Sequence, residues 1–382
     1  MTCSNQTARR GFERRTEQGV QIAAVRRQDC TDHFLTALPG PGDDFSSLCR
    51  RLAAVVADLG AQMVSMEIFG IPGAHVPELY DLFDTVTWPV TWVEEGCAHP
   101  APLSGIQAWA VCGPAVTPIM VDGRIVGATF DADGLQCCRL GGLLPSDLSR
   151  SRSAQTRDIF DLMVQGLDIA GMAFSDVVRT WFYNHDMLEW YDEFNAVRNA
   201  FFQENGVFEG LVPASTGIGG GNAAGAALTA GLLAVRARPG VEAVTPFAVP
   251  SPLQCPAPAY GSSFSRAAEF AAGGFRRLYV SGTASIEPGG RSVHIDDVDA
   301  QVDLTMDVVQ AILESRGMKW EDVSRAIAYF KCGAEVGAFR RCCAERGIPA
   351  LPAICANTDI CRDDLLFEIE LDAMTEAGLQ ET

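Results

Sequence analysis

"GMAFSDVVRTWFY", residues 171–183, and "GMKWEDVSRAIAYF", residues 317–330, share the order Gly-Met-x-aromatic-x-Asp-Val followed by an apolar strand. Each follows a segment of helical period: Phe160, Met163 and Leu167 before the first, and Val302, Met306, Val309 and Leu313 before the second. A fainter third copy, "GAQMVSMEIFG" (60–70), follows "FSSLCRRLAAVVADL" (45–59), where Phe45, Leu48, Leu52, Val55 and Leu59 keep the same spacing. Self-similarity on this scale means one supersecondary unit used three times. Each unit reads as a β-hairpin, a long helix, a glycine turn, a strand, a second helix and a closing strand. In the central unit the second helix is "MLEWYDEFNAVRNAFFQEN" (187–205) and the closing strand lies near "AALTAGLLAVRA" (226–237). In the last unit the second helix is "EVGAFRRCCAERG" (335–347).

These units divide the chain into 1–115, 116–238 and 239–382. The second boundary falls within the Pro- and Ala-rich "RARPGVEAVTPFAVPSPLQCPAPA" (236–259), which is too apolar for a free linker and is expected to pack across a domain surface. Three α+β units of one pattern suggest packing about a pseudo-threefold axis, sheets inward and helices outward, with pockets in the clefts between units.

The last closing strand lies within "CRDDLLFEIELDAM" (361–374). Leu365, Phe367, Ile369 and Leu371 fall on one face of a two-residue period, and Leu366, Glu368 and Glu370 on the other. An ordinary half-exposed strand with wet glutamates accounts for this pattern. The alternative is a carboxylate site: Glu368, flanked by Leu366, Phe367 and Ile369, would have its pKa raised by desolvation, which suits a proton donor near neutral pH. Arg198, Arg266 and Arg362 are candidate anion holders, although each alone also reads as a surface or salt-bridge residue.

The 382 residues exceed what one hydrophobic core usually supports. A formal net charge of -19 speaks against nonspecific binding of nucleic acid or anionic membrane, both of which need a basic face. An anionic substrate would have to be met by a few placed arginines. Thirteen cysteines, with no C-x-x-C, fit reduced thiols in a cytosol. The start, "MTCSNQTARRGFERRTEQG", has no apolar h-region, and no later stretch holds 18 uncharged apolar residues. A cytoplasmic protein with a mobile N-terminal tail is the expectation.

Other motifs are weaker. "STGIGGGNAAGAAL" (215–228) contains a loose dinucleotide fingerprint but no clear βαβ unit surrounds it, so it reads as a glycine loop shaping a pocket wall. Histidines at 33, 75, 99, 185 and 294 are isolated, which argues against a zinc or iron site. "HIDDVDAQVD" (294–303) lacks calcium-loop spacing and reads as a solvated helix start. No G-x-S-x-G elbow is present and no cysteine has a convincing histidine partner, so covalent acyl-enzyme hydrolysis is disfavoured.

"APAYGSSFSRAAEFAAGGFRRLYVSGTASI" (257–286) resembles the opening of RidA/YjgF proteins, and "FEIELDA" (367–373) resembles their closing Glu-Ile-Glu strand. More specifically, "TWFYNHDMLEWYDEFNAVRNAFF", "VPASTGIGG", "SPLQCPAPAYGSSFSRA", "SGTASI" and "CRDDLLFEIELDA" together resemble the chorismatase family, from about residue 110 to the C-terminus. The resemblance implies a monomer of three RidA/YjgF-like domains, with the site between the central and C-terminal ones. Its substrate would be chorismate, cleaved with release of pyruvate and without metal or organic cofactor. Glu368 matches the family's catalytic acid, which protonates the terminal methylene of the enol ether to give an oxocarbenium ion. Two substrate carboxylates call for arginine forks: Arg198 first, then Arg266 and Arg362. Tyr191, two helical turns before Arg198, is placed to donate to substrate. Tyr260, Phe264, Thr283 and Ala284 match pocket-lining positions.

Family members divide by product. Cys361 resembles the cysteine of members that form 3-hydroxybenzoate, a starter unit suited to secondary metabolism, whereas hydrolytic members carry a smaller residue and give a dihydroxy-cyclohexadiene carboxylate. Ala284 is a second candidate selector, and a buried small hydrophobe is the plain alternative for Cys361. The competing functions are a RidA-type imine hydrolase, against which the fused three-unit chain argues, and a noncatalytic binder of the same ligand.

Overall fold

The computed structural model describes residues 11–71, 75–83, 85–98, 101–238, 240 and 244–377. The N-terminal unit contains β1 (Gly11–Glu17), β2 (Val20–Arg26), β3 (Thr31–Ala37), α1 (Phe45–Leu59), β4 (Gln62–Gly70), α2 (Val76–Leu82), β5 (Val90–Glu94) and β6 (Leu103–Cys112). The central unit contains β7 (Thr117–Val121), β8 (Arg124–Ala132), β9 (Leu135–Leu143), α3 (Arg152–Ile169), β10 (Val177–Asn184), α4 (Met187–Glu204), β11 (Ala214–Gly219) and β12 (Leu228–Ala237). The C-terminal unit contains β13 (Phe247–Val249), β14 (Ala267–Ala272), β15 (Phe275–Ala284), α5 (Val298–Ser315), β16 (Val323–Phe330), α6 (Val336–Glu345), β17 (Ala353–Asn357) and β18 (Phe367–Glu376).

The three sheets have one topology: β1-β2-β3-β6-β4-β5, β7-β8-β9-β12-β10-β11 and β13-β14-β15-β18-β16-β17. In each, the closing strand inserts antiparallel between the third strand and the one that follows the long helix. The faint N-terminal copy is therefore a full member of the repeat.

Two sets of apolar residues organise the packing. Each sheet buries one face against its own helices, as where Phe45, Leu48, Leu52 and Val55 of α1 join Ile22, Leu35 and Met66. The opposite faces of all three sheets meet in a single shared core. At its centre Phe69, Tyr183 and Tyr329, which occupy corresponding positions in the three repeats, come together, with ring centroids 5.9 Å apart for Phe69–Tyr183 and 6.5 Å for Phe69–Tyr329. Sheets face inward and helices outward, as expected.

Three details differ from the sequence reading. Residues 11–17 of the supposed tail form β1, turned into β2 through Gln18 and Gly19, both at positive φ; residues 1–10 lie outside the described residues. The glycine stretch begins not as a loop but as β11, a parallel edge strand on β10. Glycine is needed there because a Cβ on Gly219 would meet the Asp359 carbonyl oxygen at 2.8 Å. Finally, the glutamate face of β18 is not wet: Glu368 is 5% exposed and Glu370 fully buried, because that face turns into the junction between units. The acidic run 294–303 is a helix start, with Asp297 capping α5 by accepting from Ala300 N at 3.0 Å.

Candidate active site

A cleft of about 460 Å³ lies between the central and C-terminal units. One wall is α4, where Tyr191, Asn195, Arg198 and Asn199 share a face by i, i+4, i+7, i+8 spacing and line the cleft. Arg198 is 1% exposed, held by a 2.6 Å bond from Nη2 to Asn195 Oδ1 and seated 5.4 Å from the Phe194 ring centroid. It is no surface residue. Tyr191 stacks on Phe194, and Gly217 of β11 leaves room for the Tyr191 hydroxyl, since a Cβ there would lie 3.3 Å from it.

The opposite wall comes from the C-terminal unit. Arg266 donates Nε and Nη2 to the Cys255 carbonyl at 3.0 and 2.9 Å and lies 5.5 Å from the Phe264 ring centroid. Arg362 donates Nη1 to Gly290 O at 2.9 Å. Phe264, Ala284 and Cys361 also line the cleft. Gln254 fixes the end of this wall by donating Nε2 to the carbonyls of Ala284 and Ile286, both at 2.9 Å.

The structure thus gathers Glu368, Cys361, Arg198, Tyr191, Arg266, Arg362, Phe264 and Ala284 around one cavity. It does not bring Thr283 there. Strand alternation turns Thr283 to the other face, where its hydroxyl donates to Ser281 O at 2.9 Å, and Gly282 lines the cleft instead. Tyr260 ends the short 3-10 turn Ala257–Tyr260, and its side chain lies outside the described residues.

Glu368 pairs in register with Ala284 on β15 and Tyr329 on β16, so its side chain projects from the middle of a sheet at the unit boundary. Among the described residues its carboxyl group accepts no hydrogen bond and joins no ion pair. Burial pushes its pKa up to about 8, the negative charge of Glu370 adds to that, and Arg179 and Arg266 oppose it. At neutral pH it is a carboxylic acid with a proton to give. Burial likewise pushes the Cys361 thiol up to about 12, with Glu368 adding. Cys361 therefore stands in the cleft as a neutral thiol, not a nucleophile.

Sequence reasoning missed three neighbours. Gly282 is required by Glu368, because a Cβ on it would run into the carboxyl group, with Cδ at 3.0 Å. Thr216 accepts from Gly282 N at 3.1 Å and from Arg179 Nη2 at 2.6 Å, tying β11 to the C-terminal sheet. Glu370 binds Arg179 at 2.6 Å and Arg325 at 2.7 Å. Arg179 and Arg325 sit at the same place in the two strong repeats, a signal the sequence offered. Among the described residues, no group of three or more His, Cys, Asp or Glu side chains is placed to hold a metal ion, and no helix is long and apolar enough to cross a membrane.

No protein-family model matches the chain. A chorismatase of Streptomyces rapamycinicus is 33% identical over 233 residues, covering 56% of this chain and 66% of that protein. A second chorismatase, from Streptomyces hygroscopicus, is 32% identical over 213 residues, covering 51% and 60%. Over these stretches the chain is similar to the two chorismatases. A 3-hydroxybenzoate synthase of Streptomyces hygroscopicus is 28% identical over 274 residues, 64% of this chain and 75% of that protein. The alignments span just under two thirds of the length of the first two chorismatases. The fold agrees over a longer stretch: a solved chorismatase structure superposes with a TM-score of 0.64 at 22% identity, covering 90% of this chain and 98% of that one.

Proposed function

We propose that this protein cleaves chorismate to pyruvate and 3-hydroxybenzoate, with Glu368 as the proton donor. The observation that carries the reading is Glu368 itself: a buried carboxyl group with no hydrogen bond or ion pair among the described residues, held neutral to about pH 8 in a cleft that also contains Arg198, Arg266 and Arg362. A carboxyl group left in this state is destabilising for the fold, so its retention points to chemistry that uses the proton.

The substrate class follows from the lining. Chorismate presents two carboxylates, and buried guanidinium groups on both walls suit a dianion held across the cleft. Carbon is a slow base, so its protonation needs the acid fixed against the methylene with water largely excluded. A site on paired β-strands meets that need better than one on a loop. Proton transfer to the methylene makes the pyruvate methyl group and an oxocarbenium ion; Glu368 is left as a carboxylate beside Arg179 and Arg266, whose charges favour that product.

The fate of the ion sets the product. Formation of 3-hydroxybenzoate by intramolecular displacement and rearomatisation consumes no water, whereas the dihydrodiol route consumes one. Cys361 supports the first outcome: a neutral thiol beside Glu368 fills space that a smaller residue would leave for water. Incubation of purified protein with chorismate, with products resolved by liquid chromatography and mass detection, tests both levels. Pyruvate with 3-hydroxybenzoate is the expected result. A dihydrodiol in its place overturns the product assignment, and absence of pyruvate overturns the reading as a whole.

A further inference from the structure

Glu368 and Glu370 lie two residues apart on the same face of β18, both buried, yet their surroundings are opposite. Glu370 Oε2 accepts from Arg179 Nη2 at 2.6 Å, and Oε1 accepts from Arg325 Nη2 at 2.7 Å and Trp181 Nε1 at 3.0 Å. Arg325 is held further by Asp372 at 3.2 Å and by Gln107 Oε1 at 2.9 Å. Glu370 does not line the cleft.

We infer that Glu370 is a positioning residue for the proton on Glu368: it occupies Arg179, so that this guanidinium does not pair with Glu368, and sets a fixed negative charge beside the acid. The inference rests on the reading of Glu368 as proton donor. Arg179 is the decisive neighbour. It is fully buried, its Nε and Nη1 have no hydrogen-bond partner among the described residues, and its charge already reaches Glu368. Without the carboxylate of Glu370, the carboxyl groups left within reach of the Arg179 charge are Glu368 and Asp372, so ionisation of Glu368 is favoured, and the repulsion that opposes that ionisation disappears as well. Both changes act in one direction, towards loss of the proton.

The other groups facing Glu368 do not supply this control. Arg266 opposes protonation from the same C-terminal wall, while Arg198 and Tyr191 on α4 and Arg362 beside Cys361 face the space for substrate. Tyr329, opposite in register on β16, and Cys361 are neutral, each held protonated first by burial. Burial alone would push Glu370 up as well, but Arg325 and Arg179 outweigh it and hold its carboxyl group below the usual range. Glu370 is thus a permanent charge at the pH where Glu368 is not.

The test uses the full chain with Glu370→Gln, Arg179→Met and the double substitution. Two titrations are read: pyruvate release from chorismate against pH, and the carboxylic-acid carbonyl band of Glu368 in substrate-free protein by infrared spectroscopy, identified by its loss in Glu368→Gln. Glu370→Gln is expected to lower both midpoints by about one unit or more, with KM nearly unchanged. Arg179→Met is expected to raise both, and the double substitution to return them towards the original values. An unmoved infrared midpoint in Glu370→Gln, with activity lowered equally at every pH, overturns the inference and leaves a structural ion pair. Should Glu370→Gln fail to fold, an unmoved infrared midpoint in Arg179→Met overturns it instead. An infrared midpoint that moves while the rate profile stays fixed preserves the control of Glu368 by Glu370 and removes Glu368 as the donor.

Discussion

The junction between the central and C-terminal units has two counterparts in the same chain, which correspond to it in strand register but carry no carboxyl group at the position of Glu368. At this junction Thr216 of β11 binds Gly282 N at 3.1 Å, beside Glu368. Between the N-terminal and central units Thr91 of β5 binds Gly142 N at 2.9 Å in the same way. The residue that corresponds to Glu368 there, by its pairing with Tyr183, is Thr229, whose hydroxyl donates to Leu143 O at 2.9 Å. Val93 and the bridge between Glu94 and Gly221 close that junction. Between the C-terminal and N-terminal units the corresponding residue is Gly105, paired with Phe69, and a Cβ on it would meet Ile354 Cγ1 at 2.9 Å. One scaffold therefore supports two outcomes: packed, satisfied contacts that hold units together, or a carboxyl group in an open cleft with no hydrogen-bond or ion-pair partner among the described residues. Stability favours the first, and the second is the arrangement on which the proposed function rests.

This contrast is most severely tested at Glu368 itself. Glu368→Gln keeps the shape and removes the proton, so pyruvate release is expected to fall by about 10²- to 10⁴-fold while chorismate still binds. The same substitution should stabilise the fold in alkaline solution. The folded-state pKa is raised from 4.5 to about 8, so the folded protein binds more protons than the unfolded chain between those values and loses stability as pH rises through them. Thermal melts of the Gln variant and the parent should therefore diverge in favour of the variant as pH rises from 4.5 to about 8, and stay apart above it. Equal melts across that range would show that Glu368 is solvated like any surface carboxylate.

Arg198→Met removes a buried guanidinium from the α4 wall, and KM for chorismate is expected to rise by about 10- to 100-fold, with a smaller change in kcat. An unaltered KM would exclude Arg198 from substrate binding. Gly282→Ala tests whether the cleft is built around the acid: the new methyl group displaces the Glu368 carboxyl group, and a loss of about tenfold in kcat is expected from that misplacement. Full activity in this variant would mean that Glu368 works from another rotamer. Cys361→Ala is expected to leave the rate of pyruvate release nearly unchanged and to shift product from 3-hydroxybenzoate towards the dihydrodiol, read by chromatography. An unchanged product ratio removes Cys361 from the selectivity argument. Smallest of all is Thr229→Ala in the sister junction, where activity should stay within about twofold.

Much of this arrangement was legible in the sequence because periodicity records burial. The Gly-Met-x-aromatic-x-Asp-Val repeats fixed the threefold architecture, and the alternation in β18 put Glu368 and Glu370 on one face. Periodicity could not say what that face meets. The glutamates looked equally wet or functional until the neighbouring units were assembled, because Thr216, Gly282 and Arg179 reach Glu368 only through tertiary packing. β11 escaped notice because a strand built for close backbone approach is rich in glycine and lacks the usual alternation. Of the expected pair Thr283 and Ala284, only Ala284 lines the cleft, because neighbouring residues on a strand point to opposite faces. The pairing of β15 with β18 is irregular between Val280 and Thr283, so simple alternation along β15 does not carry through to the cleft.

The central claim is proton delivery from Glu368 to the methylene carbon, and turnover in deuterium oxide tests it most directly. Parent protein and Glu368→Gln would be incubated with chorismate and the pyruvate analysed promptly by mass detection. The account predicts pyruvate carrying one deuterium in its methyl group from the parent protein and almost no pyruvate from the variant. Pyruvate released at near-parent rates by Glu368→Gln, or released without methyl deuterium by the parent, would contradict it.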